Sequence, residues 1–145
     1  ALGLIGRVRM KATFVGLLFA ASAVAHASTP AEKAEQFLQQ VATQESDQAV
    51  DQLFAGSNFP SKNPEVVATL KNNVLLSMRL AGKPIGTEKA DESDLTPSVK
   101  RLIYIQKFET QPTLWTFYFY RAHDEWMITG ISFTDNIQAV PGLKW

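Results

Sequence analysis

The chain has 145 residues, with 14 basic and 14 acidic side chains, two histidines and no cysteine. The lack of cysteine excludes disulfides, cysteine-based metal sites and lipid attachment through a cysteine. The balanced charge contains no run of one sign, and this argues against a nucleic-acid-binding protein, which carries a basic stripe.

The first 27 residues predict a secretory signal peptide preceded by an upstream extension. A basic start at Met10-Lys11 is followed by an almost wholly apolar run over residues 12–24 and by Ala25-His26-Ala27, a small-x-small cleavage site. We expect cleavage after Ala27, with cleavage after Ala25 as the alternative. The apolar run is shorter than the about 20 residues that cross a membrane. We therefore predict a periplasmic or secreted protein with no membrane span after the leader is removed, and the competing interpretation is a buried N-terminal helix.

Residues 28–145 have the length of a single domain with a substantial core. Three of the 14 basic residues, Arg7, Arg9 and Lys11, lie in or before the leader, whereas all 14 acidic residues follow it. The mature part therefore carries 11 basic and 14 acidic side chains, a net charge of −3. This negative balance also argues against nucleic acid as a partner.

The first predicted helix begins after Thr29 and runs to about Thr43. Thr29 is a capping residue, Pro30 suits the first helical position, and Glu32 can bond back to the cap. Apolar residues recur at helical spacing behind this start, with the polar residues Glu35, Gln36, Gln39 and Gln40 outside. The apolar stripe consists of Ala34, Phe37, Leu38 and Val41.

A second, shorter helix is predicted from a cap at Ser46-Asp47 to a stop at Gly56. Residues 57–62 predict a loop in which Phe59, placed before a proline, closes the end of the core. The inner face of this helix consists of Ala49, Val50, Leu53 and Phe54.

The third predicted helix uses the same cap-plus-proline start, at Asn63-Pro64-Glu65, and ends at Gly82. Its length suits a helix that lies across the sheet. Its apolar face consists of Val66, Val67, Leu70, Val74, Leu75 and Met78.

The remainder predicts an antiparallel meander. Residues 85–90 indicate a short, polar edge strand, and residues 91–97 a loop. Three runs rich in aromatic and β-branched residues, 99–109, 113–121 and 125–134, are separated by turn-type residues. We predict an α+β domain in which three N-terminal helices pack on a curved antiparallel sheet of three to four strands.

Both faces of the main strands are apolar or aromatic, whereas a sheet with one wet face alternates cleanly. The helices cover one face, so the other meets a partner, a ligand, the C-terminal segment or water. Gly130 indicates a bulge or bend inside the last strand. In the first main strand Leu102, Tyr104 and Phe108 share a face, opposite Ile103 and Ile105. In the second, Trp115, Phe117 and Phe119 oppose Leu114, Tyr118 and Tyr120. In the last strand Trp126 and Ile128 oppose Met127, Ile131 and Phe133.

The order of elements resembles the cone-shaped fold of the nuclear transport factor superfamily, within the cystatin-like class, and its small, uncharacterised secreted bacterial members in particular. The resemblance implies a pocket between the helices and the inner sheet face, and a homodimer through the outer sheet face. The residues that carry it are Lys107-Phe108-Glu109, Pro112, Trp115, Phe117, Phe119-Tyr120-Arg121, Asp124, Trp126, Ile131, Phe133 and Asp135.

Some members of that superfamily are isomerases or dehydratases, which need a carboxylate base in a dry pocket together with hydroxyl donors. No inward-facing acidic residue is interspersed among the apolar residues of the strands, so we predict no catalytic residue. His123 alone, in a turn, predicts no metal site, and no motif predicts a cofactor. The candidate ligand or partner contacts are Tyr104, Trp115, Tyr118, Tyr120 and Trp126, with core packing as the competing role of the tryptophans.

Three functions remain open on the sequence. The first is an exported, non-catalytic binding or interaction domain, dimeric through the outer sheet face, with a pocket for a small apolar molecule. The second is a small-molecule isomerase or lyase that uses the same cone, which requires a carboxylate within hydrogen-bond reach of a tyrosine in a closed pocket. The third is a module that docks another envelope protein through Trp115, Phe117 and Phe119.

Overall fold

A computed structural model describes residues 26–139, in which helices pack against one open antiparallel sheet. The predicted α+β class is confirmed, although the helices number four in this part of the chain rather than three. Most of the predicted leader and the segment after residue 139 lie outside the described residues. The elements are α1 (Pro30–Ala42), α2 (Ser46–Leu53), α3 (Phe59–Lys62), α4 (Pro64–Ala81), β1 (Pro84–Thr96), β2 (Val99–Phe108), β3 (Pro112–Tyr120), β4 (Met127–Thr134) and a 3₁₀-helix (Ile137–Ala139).

The sheet order β1-β2-β3-β4 follows the chain, as a meander does. Between residues 26 and 139, no helix combines the length and the apolar character needed to cross a membrane.

Helix α1 begins as its sequence predicts, with a capping box. The Glu32 N–H donates to Thr29 Oγ1 at 3.2 Å, and the Thr29 N–H donates to Glu32 Oε2 at 2.8 Å. These bonds from Thr29 hold the pKa of Glu32 below its ordinary value. The predicted stripe is confirmed, because Ala34, Phe37, Leu38 and Val41 are all buried.

The predicted cap of α2 is wrong by one residue. Glu45 occupies the N-cap position and makes no side-chain capping bond, while Ser46 is buried inside the first turn. The turn before it closes through the backbone instead, because Gln44 adopts a left-handed φ of 65° and the Glu45 N–H donates to the Gln40 carbonyl at 2.9 Å.

The loop predicted over residues 57–62 is replaced by the four-residue helix α3. Its start is favoured by Pro60, whose fixed φ suits the first turn, and by Ser57, whose Oγ accepts from the Phe59 N–H at 3.1 Å. The predicted role of Phe59 is confirmed, since its ring stacks on Phe54 with centroids 5.3 Å apart and closes one end of the core.

Helix α4 begins at Pro64 as predicted, but the predicted cap is wrong, because Asn63 makes no side-chain capping bond and its Nδ2 donates to the Phe59 carbonyl instead. The helix ends before Gly82, whose φ of 87° is a conformation that glycine adopts without strain. Val66 is an error in the predicted apolar face, because it is 56% exposed whereas its neighbour Val67 is buried. Successive helical residues point about 100° apart, so only one of this pair can face the core.

Strand β1 is twice as long as predicted, and the loop predicted over residues 91–97 is wrong. The second half of β1 is polar but pairs with β2 through charged side chains: Arg101 Nη2 lies 3.1 Å from Asp91 Oδ2, and Lys100 Nζ lies 3.0 Å from Glu92 Oε1. These cross-strand pairs extend the ladder almost to the β1–β2 turn, as opposite charges on neighbouring strands do.

The inner sheet face packs on the helices, and α1 contributes the central contact. Phe37 meets the Trp115 and Phe117 rings edge-on, with centroids 5.1 and 5.7 Å apart. The faces predicted within β2 and within β3 are confirmed, and the register brings the two aromatic faces together, since Tyr104 is opposite Trp115 and Leu102 is opposite Phe117. The buried residues on this face include Leu102, Tyr104, Gln106, Phe108, Trp115, Phe117, Phe119 and Ile128.

The predicted faces of β4 need one correction. Ile128 is opposite Phe119 and Ile131 is opposite Phe117, so both isoleucines face the core. The reason is an irregularity next to Gly130, where one extra residue, Thr129, breaks the alternation. The glycine signal therefore correctly predicted the bulge.

The outer face of the sheet, opposite the helices, is buried at its centre and accessible at one end. Ile103 and Leu114 are 0% and 1% exposed, whereas Tyr118 and Tyr120 are 40% and 41% exposed. The Tyr118 ring lies over Gly130, where an added Cβ would come within 3.3 Å of it. The accessible part of this face is therefore the end at which Tyr118 and Tyr120 lie.

Candidate functional site

A groove of about 390 Å³ lies between α1, the beginning of β1 and the middle of β2. Helical spacing brings Glu35, Gln39 and Ala42 to one side of it. The first residues of β1 form the opposite wall, and β2 supplies the floor. The groove is lined by Glu35, Leu38, Gln39, Ala42, Pro84, Gly86, Thr87, Lys89, Tyr104 and Gln106.

A tyrosine and a carboxylate meet in this groove. The Tyr104 ring is buried against Phe117, with centroids 6.1 Å apart, and its hydroxyl donates to Glu35 Oε1 at 3.1 Å. Burial, and next the negative charge of Glu35, raise the pKa of Tyr104 far above its ordinary value. The hydroxyl is therefore neutral at physiological pH and serves as a fixed hydrogen-bond donor.

Beside this pair, Gln106 ties three elements together below the groove. Its Nε2 donates to the Leu38 carbonyl of α1 at 3.1 Å, and its Oε1 accepts from Trp115 Nε1 at 3.0 Å. Gln106 is 1% exposed and Trp115 is 0% exposed, so both hydrogen bonds are shielded from water. This bridge fixes α1, and with it Glu35, relative to β2 and β3.

The charges around the groove are unequally paired. Lys89 Nζ lies 2.7 Å from Glu92 Oε2, and Lys100 binds the same carboxylate at 3.0 Å. Hydrogen bonds from Lys89 and then Lys100 lower the pKa of Glu92. By contrast, no basic side chain within residues 26–139 forms an ion pair with Glu35. Within the same residues, the side chain that bonds to Glu35 is Tyr104. The groove therefore carries one uncompensated negative charge.

Two other depressions have different chemistry. One of about 390 Å³, near Phe59 and Met127, has no ionisable side chain in its lining. Another of about 220 Å³ lies between α1 and α2 and contains three glutamines, two of which donate to the Oε1 of Gln52. Neither combines a carboxylate with a neutral hydroxyl donor. A third depression, of about 240 Å³, is lined by Asp135 together with Ser77, Thr113 and Thr134, but among the described residues no hydrogen bond joins this carboxylate to a hydroxyl. The α1–β1 groove is therefore the stronger candidate site.

The structure does not gather the predicted site residues in one place. Tyr104 lines the groove, and Trp115 is buried beneath it. Tyr118 and Tyr120 are on the outer sheet face, opposite the face that lines the groove. Trp126 follows the β3–β4 turn, where its carbonyl accepts from Lys33 Nζ at 2.7 Å and the Arg121 guanidinium lies 4.8 Å from its ring.

The three aromatic residues proposed from the sequence to dock another envelope protein are fully buried. Trp115, Phe117 and Phe119 each have 0% exposure on the inner face, packed against the helices. In the folded domain these rings are therefore inaccessible to a partner.

Glu35 is the functional candidate that the sequence analysis missed. Strands β2, β3 and β4 contain no acidic residue, which argued against catalysis, but α1 supplies a carboxylate instead. A signal for it exists in the sequence: Glu35 follows the buried Ala34 and precedes the buried Leu38 by three positions, so it lies at the border of the apolar stripe.

Among the residues that the structure describes, no group of three histidine, cysteine, aspartate or glutamate side chains is arranged to hold a metal ion. Comparison of the chain with protein-family models, curated proteins and solved structures gives no match. The argument for function therefore rests on the geometry of the groove.

Proposed function

We propose that this protein is an exported, non-catalytic binding domain that holds a small, mostly apolar molecule in the α1–β1 groove. The volume of about 390 Å³ falls in the range of small-molecule sites, about 300–1,000 Å³. Ala42 and Pro84 offer apolar contact, and a few polar groups converge beside them. That combination is typical of ligand sites.

The observation that carries this proposal is the Glu35–Tyr104 pair. A buried tyrosine that donates to a carboxylate fixes the position of that carboxylate at the groove, and so prepares an acceptor for a ligand before it arrives. Two features of the sequence support export. The first is the predicted leader, and the second is the resemblance to secreted bacterial proteins of the cone-shaped fold.

An isomerase or lyase is the second candidate, and the same pair favours it. Such an enzyme uses a carboxylate as the base and a neutral hydroxyl to stabilise the oxyanion that develops on the substrate. However, Glu35 is exposed and the groove is open, whereas this chemistry requires a closed, dry pocket. Turnover of a ketone substrate that is lost in Glu35→Gln would establish the enzyme; binding without turnover supports the simpler function.

Native mass spectrometry of the protein purified from its own cell envelope tests the binding function. We expect a reproducible extra mass on the folded protein that disappears on denaturation. Ala42→Trp fills the groove from α1 and should abolish the extra mass. The matched variant Ala68→Trp, on the exposed side of α4, should retain it. An extra mass that survives Ala42→Trp, or none on the wild-type protein, would refute the proposal.

We also propose that the domain forms a homodimer through the outer sheet face. The half-exposed rings of Tyr118 and Tyr120 support this, because tyrosines are enriched in protein interfaces. Light scattering at micromolar concentration should give twice the monomer mass, and Tyr120→Glu should give the monomer by placing a charge on that face. A monomeric wild-type protein at this concentration would exclude the dimer.

A further inference from the structure

The Glu35 carboxylate is an acceptor that the donors of the groove satisfy only in part. The one proton of the Tyr104 hydroxyl is donated to Glu35, and both polar side-chain atoms of Gln106 are occupied by Leu38 and Trp115. Gln39 and Thr87 also line the groove, but neither forms a hydrogen bond with Glu35. A carboxylate offers about four acceptor positions, of which Tyr104 uses one, so the others are free for a donor on a ligand.

The charges of the groove, like its hydrogen bonds, favour a ligand that donates hydrogen bonds and carries a positive charge. Lys89 also lines the groove, but its ammonium is held by Glu92 at 2.7 Å, and Glu92 is shared with Lys100 at 3.0 Å. An anionic ligand would have to compete with Glu92 for Lys89. It would also be repelled by the unpaired negative charge of Glu35. A cationic ligand is attracted by Glu35, and the charge of Lys89 that it also approaches is offset by the ion pair with Glu92.

From these contacts we propose that the ligand of the groove is a small organic amine, bound as its ammonium ion to Glu35, with an apolar body against α1 and the start of β1. An ammonium group carries donors and no acceptor, and so complements the free positions of the carboxylate. Ala42 and Pro84 provide apolar surface for the body. This inference rests on the proposed function, because it names the chemical class that the same groove takes.

A matched set of three probes separates this inference from general apolar binding. Cyclohexylmethylamine, cyclohexylmethanol and cyclohexanecarboxylate share one ring and differ in the charge and donors of the polar group. By isothermal titration calorimetry, we expect the amine to bind about tenfold more tightly than the alcohol, as a charge-assisted hydrogen bond allows. The carboxylate should bind more weakly than either.

Two substitutions locate the amine preference. Glu35→Gln keeps the side-chain shape and removes the charge, so the amine should bind no more than about twofold more tightly than the alcohol. Tyr104→Phe retains the Glu35 charge and should keep most of the preference. Glu65→Gln, an equivalent change of an exposed residue at the start of α4, should leave both affinities unchanged.

The outcomes distinguish this inference from the proposed function. If the amine and the alcohol bind equally, lose affinity together in Ala42→Trp, and do not respond to Glu35→Gln, the groove binds small molecules and the amine assignment is wrong. If the carboxylate binds best, the assignment is also wrong. If the wild-type protein binds none of the three probes, the amine class is overturned, while native mass spectrometry independently decides whether the groove holds a ligand.

Discussion

Replacing Gln106 with leucine is expected to lower the free energy of unfolding by about 1–3 kcal/mol, because the substitution leaves the buried Trp115 indole N–H without an acceptor. Gln106 accepts from this N–H at 3.0 Å and also donates to the Leu38 carbonyl at 3.1 Å, which retains its hydrogen bond within α1. Leucine has nearly the volume of glutamine, so little of the loss comes from a cavity. Urea denaturation monitored by circular dichroism measures the change.

A double-mutant cycle separates lost hydrogen bonding from lost packing at this bridge. Trp115→Phe removes the indole N–H, so combining it with Gln106→Leu should cost at least about 1 kcal/mol less than the sum of the single changes. Gln39→Leu, the same substitution on the exposed side of α1, should change stability by less than about 0.5 kcal/mol. Additive losses in the cycle would show that the bridge contributes no coupling.

Removal of the Phe37 ring is expected to destabilise the domain by about 3–5 kcal/mol, the usual cost of Phe→Ala in a packed core. Phe37 is 1% exposed and makes edge-on contacts with two rings of the inner sheet face. Its loss leaves a cavity at the contact through which α1 packs on β3, where the neighbouring rings have little freedom to collapse. Urea denaturation gives the difference in free energy.

Phe59→Ala is the matched control, because Phe59 is half-buried and stacks on one ring at the end of the core. Less apolar area is lost there, so the cost should be about 1–2 kcal/mol. A loss at Phe59 equal to or larger than that at Phe37 would contradict a core centred on the contact between α1 and the sheet.

Regular local signals accounted for much of the fold. The capping box at Thr29 and Glu32, the glycine after α4 and the alternation of β2 and β3 are all short-range patterns, and each has its expected structure. In β4, Gly130 predicted the bulge. The sequence around it does not show that the bulge inserts one extra residue. For that reason Ile128 was assigned to the wrong face.

The errors in β1 arose where pairing with another strand overrides local composition. Residues 91–96 are mostly polar and read as a loop, yet Asp91 and Glu92 find Arg101 and Lys100 on the adjacent strand. Propensity is a weak guide in such a segment, because its stability comes from partners distant in sequence.

The candidate site was only partly predictable for the same reason. Tyr104 was identified as a donor, but its acceptor Glu35 lies 69 residues away in the sequence and on a helix face that reads as solvent-exposed. Gln106 was not identified, because a buried glutamine among strand residues gives no sign of its partners. Both contacts depend on how α1 packs on the sheet, which periodicity within either element does not specify.

The most direct test of the groove as the binding site is a two-dimensional ¹⁵N–¹H NMR spectrum of the labelled, ligand-free domain to which the small-molecule extract of the native protein is returned. We predict that the largest chemical-shift changes occur at backbone amides of the groove, including Glu35, Thr87 and Tyr104. Changes confined to Phe59 and Met127, or to Tyr118 and Tyr120, or no change at all, would contradict the account.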